Sequence, residues 1–209
     1  MREVDFDAQV RQADPDRWLA SRFVGDETAR ADLIVLYAFE AELASIPAKV
    51  SQPMLAEMRL TWWADQMDGV FAGTPRKGHP LLEALSDVVI RHGLERAPLD
   101  ALIEAQVQRA HRNPHDLDAL FVGPMQAAAR VLAGPGHEAA VADAARVRGL
   151  ILTGKADEAR ALKAEANRAL KALPPAAFPA VSVASLRDPD APEPVKRLRL
   201  VWATLRGRI

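Results

Sequence analysis

Apolar residues recur at three- and four-residue spacing along almost the whole chain, and Gly and Pro punctuate the pattern into helix-length segments. Asp14-Pro15-Asp16 is a helix-opening signal, and Trp18, Leu19, Phe23 and Val24 recur behind it on one side. Residues 27–46 are the most apolar stretch; Leu33, Leu36, Tyr37, Glu40 and Ala44 share a helix face there, and Pro47 is expected to end it. Ser51 reads as an N-cap, with Pro53 in the first turn of a helix that carries Leu55, Met58, Trp62, Met67, Val70 and Phe71 and stops at Gly73. His79-Pro80 opens the next helix, which closes near Gly93. Pro98 starts another, broken at Asn113-Pro114, and Gly123-Pro124 is expected to kink or divide the segment after it. Residues 137–152 and 155–173 read as Ala-rich helices on either side of Gly154. Six prolines between 174 and 194 predict a tethering loop before a last helix from Val195 to about Arg206.

No segment alternates at period two for long, and no internal repeat is visible. The fold class is therefore all-α. With 209 residues against about 150 per typical domain, a single helical body over 1–209 is expected.

Composition narrows the chemistry. The chain has no cysteine, which excludes disulfides, thiolate-bound metals and thiol nucleophiles. A net charge of −1 supplies no drive toward nucleic acid, and no nucleic-acid partner is expected. The charge is unevenly placed: residues 1–70 carry a net −6 and the rest a net +5. The acidic start has no leader pattern, and the longest apolar run, 33–39, falls short of the ~20 residues of a membrane span.

Asp65 and Asp68 share a helix face, with Glu57 upstream and Glu40 and Glu42 on the preceding segment; this is a weak candidate set for a hard cation. His111 and His115 have metal-ligand spacing, but Asn113-Pro114 should break the helix between them. His92, just before Gly93, is explained by a favourable charge at a helix end. Phosphate-binding glycine loops and serine nucleophile elbows are absent. In the last helix, Val195, Leu198, Trp202, Leu205 and Ile209 form one face, and the chain from 194 on has five basic residues and no acid. Lys196, Arg197, Arg199, Trp202 and Arg206 are candidates for contact with an anionic membrane or a protein partner. The plainer expectation is that the apolar face docks into the bundle and the arginines are solvated.

Four ordered stretches carry a resemblance. They are DRWLA at 16–20 with Arg22-Phe23, RADLIVLYAF at 30–39, MRLTWW at 58–63, and FAG at 71–73 followed by HPLLEAL at 79–85. Together, over about 15–105, they resemble the squalene/phytoene synthase family, and most of all a divergent branch that includes its mitochondrial complex I assembly factor. The resemblance implies a bundle of the prenyl synthase type, shortened in its second half. In the family's enzymes two aspartate-rich motifs hold Mg²⁺, which neutralises the leaving diphosphate of a prenyl substrate. Here the first pair of aspartate positions falls at about Ala44 and Ala48, and no second motif occurs within 121–175.

The reading that follows is a catalytically degenerate family member acting as a binding or assembly factor, with no catalytic residue and no cofactor. The resemblance implies a protein partner, maturation of the respiratory NADH dehydrogenase, and a cytoplasmic place at the inner face of the membrane. A reduced apolar cavity is expected, lined by Leu36, Tyr37, Phe39, Arg59, Trp62 and Trp63. Two alternatives stand beside it: an active prenyl transferase using an unconventional Mg²⁺ site at Glu40, Asp65 and Asp68, and an isoprenoid-binding module without chemistry.

Overall fold

Asp14 ends one helix and begins the next. Its backbone N–H donates to the Val10 carbonyl at the close of α1 (Phe6–Ala13), and its carboxylate accepts from the Arg17 N–H at 3.0 Å, capping α2 (Pro15–Ser21). The sequence signal predicts α2 but not α1. In this computed structural model, which describes residues 4–50 and 52–209, α1 is a short amphipathic helix capped by Asp5 that buries Val10. Asp7 ties it to α2 by accepting from the Trp18 indole N–H and the Arg22 guanidinium.

Helix α3 (Glu27–Lys49) is the axis of the fold, and α1, α4, α5, α6 and α7 all pack on it. Asp26 caps it, and its 32–40 stretch is buried without interruption, as the apolar pattern predicts. It does not stop at Pro47. The proline falls in the last turn, so its missing N–H costs one bond, and the helix ends two residues later without needing to be rebuilt. Helix α4 (Pro53–Phe71) follows; Ser51, expected as its N-cap, lies outside the described residues.

Helix α5 (Pro80–His92) has the punctuation read from the sequence. The His79 ring nitrogen accepts from the Leu82 N–H, and Gly93 closes the helix at φ +56°, a conformation glycine adopts without strain. Buried Asp32 on α3 receives both Arg91 and His92 from the end of α5, at 2.5 and 2.8 Å. His92 is thus a tether between helices.

Helices α6 (Arg96–Ala110), α7 (Leu117–Ala133), α8 (Glu138–Leu152) and α9 (Ala156–Ala169) succeed one another as packed neighbours. Helix α7 runs unbroken through Pro124, which is buried; contacts with α6 and α8 on either side hold the turn that lacks a hydrogen bond. Gly149 lets α7 and α8 approach closely: a Cβ there would lie 2.6 Å from the Phe121 ring.

The proline-rich stretch is not a loop throughout. It contains α10 (Phe178–Ser182) between two short 3₁₀ turns, and residues 177–186 are all buried, against α2, α7, α8 and the last helix. Its early prolines occupy first turns, where the absent N–H would have no helical partner, and 180–186 contains none.

The last helix, α11 (Glu193–Arg206), overturns the expectation that its apolar stripe docks inward. Leu200 and Ala203 face the body, while Val195, Leu198, Trp202 and Leu205 are exposed by 45%, 69%, 56% and 78%. Lys196 sets the rotation by reaching buried Asp16 at 2.8 Å, which turns the broader stripe outward. Ile209 leaves that stripe after Gly207 and is buried. No strand occurs among the described residues, and the fold is all-α.

Candidate functional site

A cleft of about 880 Å³ is bounded by α1, α3, α6, the start of α7 and the end of α8. One wall is a stripe of α3 at helical spacing: Tyr37, Glu40, Ala41, Ala44, Ser45 and Ala48. Leu102 and Gln106 of α6 and Leu120 and Phe121 of α7 face it.

Arg17 and Glu40 form an ion pair on the floor, each side chain no more than 13% exposed, with the Arg17 guanidinium 5.0 Å from the centre of the Tyr37 ring. Burial pushes the Glu40 carboxyl above its ordinary range, against the pull of Arg17. Burial also opposes the charge on Arg17, but Glu40 and Asp14 outweigh it and keep the guanidinium protonated. Burial raises the Tyr37 phenol as well, so it remains a neutral donor. Arg148 enters from α8 and pairs with Asp16 at 2.7 Å. One Glu40 oxygen, Oε1, and one Arg148 nitrogen, Nη1, are buried without a protein partner. The cleft's lining combines Leu102, Leu120 and Phe121 with polar and charged side chains that include Arg17, Gln106, Arg109 and Arg148, an arrangement that can hold a polar-headed ligand.

A model of the squalene/phytoene synthase family matches residues 10–122, more than half of the sequence. The chain belongs to the squalene/phytoene synthase family. A Bos taurus protein named NADH dehydrogenase (ubiquinone) complex I, assembly factor 6, is 28% identical over 113 residues. That match takes in 52% of this chain and 33% of the bovine protein, so the chain spans about a third of the length of the curated relative it matches.

Family membership raises the question of Mg²⁺, and the residues present do not fit it. Ala44 and Ala48, the positions to which the resemblance assigns the first carboxylate pair, both line the cleft and present methyl groups to it. Glu40 is committed to Arg17. Asp65 and Asp68 lie on the exposed side of α4 outside the cleft, and Asp68 pairs with Arg96 at 2.6 Å, so the structure does not bring them to Glu40. Among the described residues no three His, Asp or Glu side chains are grouped to hold a metal ion. His111 pairs with Glu57 at 2.7 Å and His115 with the Asn113 carbonyl, on either side of the break after α6.

Of the six residues expected along a cavity, Tyr37 lines the cleft. Leu36 and Phe39 are fully buried in the core, and Arg59 is exposed on α4. Trp62 and Trp63 form an aromatic cluster with Phe39 and the capping His79, at centroid separations of 5.2 to 5.6 Å. On α11, Arg199, Trp202 and Arg206 border a second concavity, whereas Arg197 pairs with Glu193 and Lys196 with Asp16.

Sequence reasoning missed Arg17, Gln106, Arg109 and Arg148 at the cleft. A partial signal existed for Arg17, which lies inside the DRWLA stretch, and for the shared face of Tyr37, Glu40 and Ala44. Arg148 is 132 positions from Asp16, and no local pattern points to it.

Proposed function

We propose that this protein is a non-catalytic member of the squalene/phytoene synthase family that works as a binding protein in the assembly of a respiratory NADH dehydrogenase. It acts from the cytoplasmic side, at the inner face of the membrane. The observation that carries this reading is the cleft wall on α3. Where Mg²⁺-dependent ionisation of a diphosphate needs paired carboxylates, Ala44 and Ala48 present methyls, and the nearest buried acid is neutralised by Arg17. The name of the bovine relative supports the assembly role, and its partner would be a protein.

Titrating farnesyl diphosphate into the protein with and without Mg²⁺, followed by a phosphate-release assay, tests the proposal. The expected result is no Mg²⁺-dependent heat and no diphosphate release. Tight binding that requires Mg²⁺ and ends in diphosphate release overturns it in favour of a prenyl transferase.

Leu102, Leu120 and Phe121, which share the cleft with Arg109 and Arg148, favour a second reading in which the cleft binds an isoprenoid without chemistry. It differs from the first by predicting Mg²⁺-independent binding that weakens in Arg148→Met.

A further inference from the structure

Helix α11 carries four of the large exposed apolar side chains of the described residues, and they form one ridge from Val195 through Leu198 and Trp202 to Leu205. Ten steps of about 1.5 Å rise from Val195 to Leu205 make this ridge about 15 Å long. Leu198 and Trp202 are also one wall of a basin of about 690 Å³, whose other lining includes Lys163, Arg187, Arg199, Arg206 and Arg208. No aspartate or glutamate lines it, and none of these five cations has a carboxylate partner among the described residues. Cations such as Arg59 and Lys77 also lack a carboxylate partner among the described residues, but they stand singly, whereas here five line one basin.

The crowding has an electrostatic signature. Burial lowers the proton affinity of Lys163, and repulsion from Arg187, Arg199 and Arg208 lowers it further. An anion in the basin would relieve that repulsion. The Arg206 guanidinium stacks 4.0 Å from the centre of the Trp202 ring, which sets a charge directly on the apolar ridge. Ridge and cations are thus joined in one surface.

We propose that α11 and the adjoining basin dock this protein on an anionic phospholipid surface, the ridge entering the acyl boundary and the basin receiving headgroup phosphates. Charge complementarity decides the occupant. A bilayer containing acidic lipid places phosphates directly beside hydrocarbon, as the basin lies beside Leu198 and Trp202. Leu198 and Leu205 project from the helix, exposed by 69% and 78%. A fluid bilayer accommodates that shape, whereas a protein partner would need a matching groove lined with acids.

The test is co-sedimentation of the full chain with phosphatidylcholine vesicles, with and without phosphatidylglycerol, at low and high salt. Pelleting is expected only with phosphatidylglycerol and is expected to fall with salt. Reversing two basin charges, Arg199→Glu with Arg206→Glu, should weaken partitioning by about tenfold or more. Leu198→Ser with Leu205→Ser leaves every charge in place and should also abolish pelleting, which separates docking from simple adsorption of a basic patch. All four positions lie on the surface of α11, and circular dichroism verifies that the variants keep their helix content. The proposal is overturned by failure to pellet with acidic vesicles, by equal pelleting on neutral ones, or by pelleting that neither variant changes. Concentration-dependent dimerisation that Leu198→Ser and Leu205→Ser remove, with no lipid binding, also overturns it and assigns the ridge to a second copy of the chain.

Discussion

Lys196 on the last helix places its ammonium 2.8 Å from the carboxylate of Asp16, near the opposite end of the chain. Arg148 of α8 holds the other oxygen of the same carboxylate at 2.7 Å, and all three side chains are nearly buried. One acid therefore joins α2, α8 and α11. Its removal leaves two buried cations without a counter-charge, so Asp16→Ala should destabilise the protein by about 3 kcal/mol or more. Lys196→Met keeps the stem and leaves Arg148 paired, and should cost about 1 kcal/mol. Urea unfolding measures both; equal midpoints for Asp16→Ala and the parent protein would mean that this contact does not hold α11 to the body.

The Arg17–Glu40 pair on the cleft floor follows the same physics with a different remedy. Glu40→Ala strands a buried guanidinium and should cost about 3–5 kcal/mol. Replacing both partners, Arg17→Met with Glu40→Leu, removes the two desolvation penalties together and should recover most of that loss. A double-mutant cycle in urea gives the coupling directly. Additive losses would show that the two charges are solvated independently.

Much of the fold is readable from punctuation, because caps act locally. Asp14, His79 and Gly93 sit at helix ends that the nearby sequence marks. What escaped depends on contacts distant in sequence. Pro47 and Pro124 read as breaks, yet one lies where the helix is about to end and the other is held between neighbouring helices. The orientation of α11 is the clearest instance. Its periodicity contains a broad stripe through Leu198 and Trp202 and a narrow one through Lys196, Leu200 and Ala203, and hydrophobicity favours burying the broad one. The ion pair to Asp16 selects the narrow stripe instead, and no window along α11 contains that acid. The cleft is similar: the alanines at 44 and 48 are plain in the sequence, but Arg148 reaches the site only through tertiary packing.

Gly149 is a packing glycine in an ordinary helical position. A methyl group there would overlap the Phe121 ring, so Gly149→Ala should destabilise the α7–α8 contact by about 1–3 kcal/mol despite alanine's better helix propensity. Phe121→Leu alone loses ring contacts but opens the space. The double variant should be more stable than the sum of the single losses predicts. Thermal denaturation of the four proteins tests this, and strict additivity would place the clash elsewhere.

Acid titration should reveal two carboxyls acting in opposite directions. Burial works against ionisation of Asp7, but hydrogen bonds from Trp18 and Arg22 outweigh it and hold its pKa below the ordinary 3.8. Between those two values the unfolded chain binds more protons than the native one. The stabilisation from Asp7 is therefore complete above the ordinary value and is lost as the pH falls through the native one. Glu40 behaves in reverse: burial raises its native pKa above 4.5, so the native state takes up a proton first and its contribution to stability grows as the pH falls through that window. Asp7 is partly exposed, which limits its effect to about 1 kcal/mol or less. Asp7→Asn should lower stability at neutral pH and flatten the acid limb of a plot of urea midpoint against pH. Glu40→Gln should steepen the same limb, because the compensating proton uptake is gone. Parallel curves for the parent protein and both variants would show that neither carboxyl changes its proton affinity on folding.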